Sequence, residues 1–336
     1  MATSAVFPQA RARQGMYESF YLRGVSLQQP LGVWIRYTVQ KPRGGAPRGS
    51  LWCTVFDKTR GAPFMHKLTS ERLHVPPGGW IEVGESGEHG ANGREGGSIG
   101  AGHAEGACGA AEWSLQIASQ EQELRHLPRE WLYAAPLPRT KLTSPAPAAS
   151  FEGTLQIAGE REIGLDGWRG MVGHNWGAEH AERWIWLHGI GFAGAPDAWL
   201  DVALGRLKIA GRLTPWVANG ALSIAGRRMR IGGLGARGLR VQESPEGCTL
   251  RLPGEDGLVV EARASIPPGT AAGWHYGDPD GGAGHDVVNC SIAALELSVN
   301  SRDAPARALR SAHGAVYELG MRERDHGVPI APFADG

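Results

Sequence analysis

Apolar and polar residues alternate along this chain over short runs and rarely recur with a helical period. Residues 33–39 (VWIRYTV) and 50–56 (SLWCTVF) are rich in β-formers and flank a Gly/Pro turn, so they read as an antiparallel hairpin. Residues 80–83 and 112–117 read as further strands, and the Gly-rich stretch 84–109 between them as a mobile surface hairpin. That stretch has no strand leading into a helix and no Walker lysine, so its glycines are not a phosphate loop. Between 128 and 147 prolines recur around Trp131, Tyr133, Arg139 and Lys141, which excludes helix and predicts an extended arm lying across a barrel. Residues 151–157 and 161–165 flank the turn Ala158-Gly159-Glu160. Short apolar runs then follow at 199–204, 221–224, 229–231, 248–252, 258–264 and 291–299, each bounded by Gly, Pro or Asp. Helix-period patterns are confined to 120–127 and 303–311. The fold class that follows is all-β.

One segment concentrates the chemistry: WRGMVGHNWG at 168–177, then EHAERWIWLH at 179–188. In an extended strand Trp184, Trp186 and His188 share one face while Ile185 and Leu187 take the other. An aromatic wall with polar handles is what a pocket for a hydrophobic molecule needs. Tryptophan is also the commonest aromatic, with 12 Trp against 7 Phe and 6 Tyr. The loop 177–182 carries Glu179 and Glu182.

Composition narrows the function classes. At 336 residues the chain has room for two domains. Its 34 basic and 34 acidic residues cancel without forming like-charge blocks, so nucleic acid is not an expected partner. Cys53, Cys108, Cys248 and Cys290 show no zinc-type spacing and read as reduced, buried thiols of a cytoplasmic protein. No continuous apolar run follows Arg11 and Arg13, and no run reaches membrane-span length. The expectation is a soluble chain without a secretory signal, which an apolar ligand could bring transiently to a membrane surface.

A pocket of this kind can do acid chemistry on its guest only with a proton donor, and aromatic faces can stabilise a cation there. Trp176, Trp184 and Trp186 are candidates for the π faces; they could equally fill a barrel interior. His174 is the first candidate proton donor, with Glu179 or Glu182 the stronger acids if desolvated. The alternative has His174 and Asn175 bonding a neighbouring strand and the glutamates solvated. His174, His180, His188 and Glu179 can be gathered as metal ligands, but their spacing matches no known helix pair, so the reading is no metal and no cofactor. A second cluster (Trp274, His275, Tyr276, Asp278, His285, Asp286) reads as a surface turn or as a rim over a cavity. No GxSxG or Ser/His/Asp order points to hydrolysis.

The GHNWG motif at 173–177, the paired Trp184 and Trp186, the Trp34/Tyr37/Trp52 hairpin, Trp113-Ser114-Leu115, Leu137-Pro138-Arg139-Thr140-Lys141 and Phe151-Glu152-Gly153 together carry a resemblance. Over most of its length the chain resembles the lipocalin-like proteins that include carotenoid hydratases and tocopherol cyclase. The resemblance implies two lipocalin-like antiparallel β-barrel domains side by side, 1–178 and 179–336, around a large apolar cavity. It implies action on isoprenoid or polyketide-type molecules. The expected substrate-binding set is Trp34, Trp52, Asn175, Trp176, Trp184, Trp186 and His188. Carotenoid hydratases carry an acidic residue where this chain has Gly173, and the paired tryptophans are closer to the tocopherol cyclase branch. Two readings of function stand: a cofactor-independent cyclase, isomerase or hydratase, and a non-catalytic carrier of a hydrophobic small molecule. A carbohydrate-binding β protein is a third, because tryptophan faces also stack on sugars.

Overall fold

The computed structural model describes residues 3–85, 95–160, 162–209, 211–233, 235–302 and 305–333. Among them there is no α-helix, only single 3-10 turns such as Phe7–Gln9 and Glu130–Tyr133. Strands build two large antiparallel sheets and one two-stranded ribbon.

In the first sheet, Met16–Val25 lies between Leu31–Lys41 and Trp168–Gly177. The hairpin expected at 33–39 and 50–56 forms, with Ile35 opposite Cys53 and Tyr37 opposite Leu51. The two ends of this 13-stranded sheet, Phe64–Ser70 and Leu73–His74, are neighbours in sequence, and the sheet curls into a nearly closed barrel. Phe20, Ile35, Leu51, Ile81, Trp113 and Phe151 fill it. In the second sheet, Arg183–Gly189 lies between Trp199–Arg206 and Arg307–Met321, over an interior of Leu187, Leu200, Val202, Leu250 and Leu295. A third apolar cluster belongs to neither interior. It joins Tyr21, Trp34, Trp52 and Met171 of the first sheet to Trp186, Trp199, Trp274, Tyr276 and Val316 of the second.

Four local expectations are corrected. The Gly-rich stretch is built into the first barrel on both sides of residues 86–94, which lie outside the described residues: Gly96–Gly100 and His103–Cys108 pair as strands, and the former is wholly buried. Its glycines permit close backbone approach, since a Cβ at Gly97 would sit 2.3 Å from the Glu105 carbonyl. Residues 120–127 form no helix. Arg228 reaches across from the second sheet to the Glu121 carboxylate and the Gln122 and Glu123 carbonyls, and Arg230 donates to the carbonyls of Arg125, His126 and Leu127. These external donors replace the intrahelical ones. Of 303–311, the part from Arg307 onward is strand, its exposed and buried residues alternating against His285–Asn300. The arm 128–147 is irregular only at first, because Thr140–Ile157 is a single long strand. Pro145 and Pro147 fit there because the pairing with Trp168–Gly177 shifts register between Thr143, Ala146 and Ala149.

Candidate functional site at the seam

The seam between the sheets encloses a cavity of about 380 Å³. One wall is Tyr17, Tyr21, Trp34, Arg36 and Asn175; the other is Trp184, Trp186, Asn219, Tyr276 and Glu318. Leu127, Pro128, Leu132, Leu137 and Pro138 of the arm cover it.

Two aromatic rings in this wall lie over glycines directly across the ladder. Tyr21 faces Gly173, where an added Cβ would fall 2.2 Å from the ring, and Trp184 faces Gly320 with the same 2.2 Å. Only a missing side chain lets each ring lie down on its partner strand. Gly173 is therefore the seat of Tyr21. The tryptophan edges are pinned by carboxylates: Trp184 Nε1 donates to Glu318 Oε1 (2.9 Å) and Trp186 Nε1 to Asp201 Oδ1 (3.2 Å). Asn289 Nδ2 holds the other Glu318 oxygen at 3.0 Å.

Asp201 is fully buried, yet it stays ionised. Burial pushes its carboxyl up, but His126, His188 and the Ser144 hydroxyl outweigh that and bring it to about 2. Ser144 Oγ donates to Asp201 Oδ2 at 2.5 Å, and His126 Nε2 lies 3.4 Å from the same oxygen. The other His126 nitrogen meets the Asn219 carbonyl at 3.2 Å, so both ring nitrogens face oxygens at the cavity edge. Burial, Asp201 and Glu318 raise the Tyr21 phenol well above its ordinary range, so it keeps its proton and can donate it as a hydrogen bond. Asn175 presents a buried Oδ1 without a hydrogen-bond partner. The Arg36 guanidinium lies 4.3 Å from the Tyr276 ring centroid and 5.2 Å from that of Trp34.

Of the residues expected from sequence, Trp34, Asn175, Trp184 and Trp186 come together on the cavity. Trp52 stands one layer behind, its ring against Trp274, Tyr276 and Phe333. His174 and Trp176 occupy the opposite face of their strand from Asn175. His174 is buried at 2% exposure, stacked on Phe20 and bonded to Glu18 Oε1 at 2.7 Å. Glu18 also accepts the backbone N–H groups of Val6 and Phe7, so this pair latches the N-terminal segment to the barrel. Glu179 pairs with Arg139 (2.6 Å), and Glu182 with Arg322 (3.0 Å) and Lys208 (3.9 Å); neither lines the cavity.

His188 lies deeper in the seam, between Arg23 (3.0 Å) and the Pro147 carbonyl (2.9 Å). Arg23 is fully buried and also donates to the carbonyls of Ser291 (2.8 Å) and Gly314 (3.1 Å), tying the sheets together. Burial lowers it to about 9, so it remains charged at neutral pH. His174, His188 and Glu179, each held by a different partner, do not join His180 as a metal-binding set. Sequence spacing missed Tyr21, Arg36, His126, Asp201 and Glu318; Tyr276 alone stood in a flagged cluster.

No family model matches the chain. Two curated relatives of Mycobacterium tuberculosis, Uncharacterized protein MT0513 and Uncharacterized protein Rv0493c, are each 27% identical over 317 residues, covering 89% of this chain and 86% of theirs. Among solved structures, CghA superposes with a TM-score of 0.62 at 12% identity, over 91% of this chain and 88% of its own. It has also been solved with Sch210972. An AttH-type protein (NE1406) of Nitrosomonas europaea matches with a TM-score of 0.52 at 14% identity, over 95% of this chain and 97% of that one. Kievitone hydratase of Nectria haematococca matches with 0.52 at 11% identity, over 91% and 89%. The chain shares the all-β, lipocalin-like fold of these solved structures. In this lipocalin-like fold no helix among the described residues is long and apolar enough to cross a membrane.

Proposed function

We propose that the seam cavity holds an apolar small molecule of isoprenoid or polyketide type bearing an oxygen function, and that the protein promotes its non-redox cyclisation, isomerisation or hydration. The observation that carries this reading is the wall itself. Trp34, Trp184, Trp186 and Tyr276 offer π faces, and among them stand a protonated phenol, Tyr21, and an unpartnered amide oxygen, Asn175 Oδ1. Each π face would stabilise a developing cation by about 0.5 to 2 kcal/mol. Tyr21 would hydrogen-bond a ligand carbonyl and Asn175 a ligand hydroxyl. Acid–base work is assigned to Tyr21 and the His126–Asp201 pair, because His174, Glu179 and Glu182 stand off the wall. Sch210972 bound to CghA supports small-molecule binding by this fold.

The second reading, a carrier without turnover, is favoured by two carboxylates: Glu318 on the wall and the fully buried Asp201 are both committed to holding tryptophan edges. Four buried free thiols support a reducing, cytoplasmic setting for either reading, and an apolar ligand would account for transient contact with a membrane surface. Extraction of the purified protein with organic solvent and mass spectrometry of the extract tests the reading. A polyene, quinone precursor or polyketide supports it, and a sugar overturns it. Tyr21→Phe then separates the two classes: lost conversion with retained affinity marks an enzyme, while no conversion by the parent protein marks a carrier.

A further inference from the structure

The loop after the motif strand and the C-terminal polar–aromatic cluster converge at the rim of the cavity. His180 from the loop meets Asp278 from the turn after Ala272–Tyr276, and His285 from the start of His285–Asn300. One nitrogen from each histidine and one carboxylate oxygen all lie within 4.8 Å of one another. His180 Nδ1 is 2.9 Å from Asp278 Oδ1, which also accepts the His180 backbone N–H at 3.0 Å.

His285 is the decisive residue. It is fully buried, and neither ring nitrogen has a hydrogen-bond partner of ordinary geometry, although the Glu182 backbone acts on the ring as an acceptor. A neutral imidazole carries one N–H, which the Glu182 backbone can meet, and one lone pair, which is left without a donor in the interior. Ordinary packing gives no reason to bury such a ring beside a second imidazole and a carboxylate. Metal coordination does, because it takes up the lone pair.

We propose that His180, Asp278 and His285 bind a divalent transition-metal ion of the zinc class at the rim of the seam cavity, leaving one coordination position open. Two imidazoles and a carboxylate suit zinc, cobalt or iron(II) and not the harder magnesium or calcium. Bonds of about 2.0–2.2 Å in tetrahedral geometry place ligand atoms about 3.4 Å apart, so no pair has to close by more than roughly 1.4 Å. The surroundings hold the three side chains for that step. The His180 ring stacks on Tyr17 at 4.0 Å, and Trp184 packs edge-on to His285 at 5.0 Å. Arg322 stands 4.0 Å from the second Asp278 oxygen and is itself fixed by Glu182.

Because His180 lines the cavity, the open position would take an oxygen atom of whatever the cavity holds, polarising it as a Lewis acid. Metal binding itself can be measured without knowing that molecule, so this inference can fail while the cavity reading stands.

The test uses the full chain without a histidine tag, stripped with chelator and titrated with Zn²⁺ by calorimetry and with Co²⁺ by visible absorption. The expected result is one ion per chain and intense cobalt d–d bands of low coordination number. His285→Phe and Asp278→Asn should each weaken affinity about 100-fold or more. Zinc should raise the melting temperature of the parent protein and leave both variants unmoved. If His285→Phe does not fold, Asp278→Asn decides the matter alone, being nearly isosteric. Zinc bound weakly, in variable stoichiometry, or equally well by the parent and Asp278→Asn would overturn the proposal.

Discussion

The interior of the second barrel and the seam beside it are built from the same strand, Arg183–Gly189, and have opposite characters. Ile185 and Leu187 enter a barrel interior made chiefly of Leu, Val, Ile and Ala, while Trp184, Trp186 and His188 enter the seam. Five buried tryptophans form the seam cluster with Trp184 packed against it, and Arg23, Asp201, His126 and His188 are buried along it. Branched aliphatic chains interlock to near-crystalline density and leave little room for a guest. Flat rings with hydrogen-bonding edges behave differently: Trp184 and Trp186 are fixed by carboxylates, so the space between them can persist. The barrels are scaffold, and the joint between them is where a small molecule meets polar chemistry.

The largest test of that contrast is to part its two sides. We predict that residues 1–178 and 179–336, read as two units, will not fold when produced separately, because Trp34, Trp52 and Trp274 would be exposed and Arg23 would lose its acceptors. Soluble, cooperatively unfolding halves would sink this. Next in size, Arg23→Met in the whole chain should lower stability by about 2–5 kcal/mol in urea unfolding, by stranding the buried Ser291 and Gly314 carbonyls and His188; a change under about 1 kcal/mol would show that the sheets are held by apolar contact alone. Leu200→Ala, inside the second barrel, should cost about 2–5 kcal/mol and leave ligand affinity unchanged, whereas Trp184→Leu should weaken affinity more than stability. Equal effects on affinity would erase the distinction between the regions.

The seam also predicts a pH response. His188 is pushed down to about 4, first by burial and then by Arg23, with Asp201 pulling the other way. A depressed folded-state value means that the unfolded chain binds the proton first. Its stabilising share is therefore complete above about 6.5 and is lost as pH falls towards 4, amounting to about 3 kcal/mol. His188→Gln should flatten the fall in melting temperature over that window; an unchanged slope would assign the acid sensitivity elsewhere. The smallest effect is expected of Gly173→Ala, about 1 kcal/mol, since its Cβ meets the movable end of Tyr21. Its signature should be a changed ligand preference.

Alternation made parts of this legible. The β-rich runs at 33–39 and 50–56 identified a true hairpin, and the spacing of Trp184 and Trp186 put both on one wall. The same rule separates His174 and Trp176 from Asn175, but it says nothing about which face meets the barrel core, and that depends on Phe20 and Glu18 of the neighbouring strand. His126 and Asp201 come together only through the fold, so no local pattern marks them. The stretch 120–127 looked helical because its polar backbone partners, Arg228 and Arg230, lie a hundred residues away in the second sheet.

Tyr21 over Gly173 and Trp184 over Gly320 give the cavity an unusual kind of tuning. Its contour is set from behind, by two positions whose contribution is to supply no atoms. A single added methyl group at either glycine would have to displace a whole ring of the wall. Substrate range in this architecture can therefore drift through the smallest substitution available, at residues that never touch the molecule being chosen.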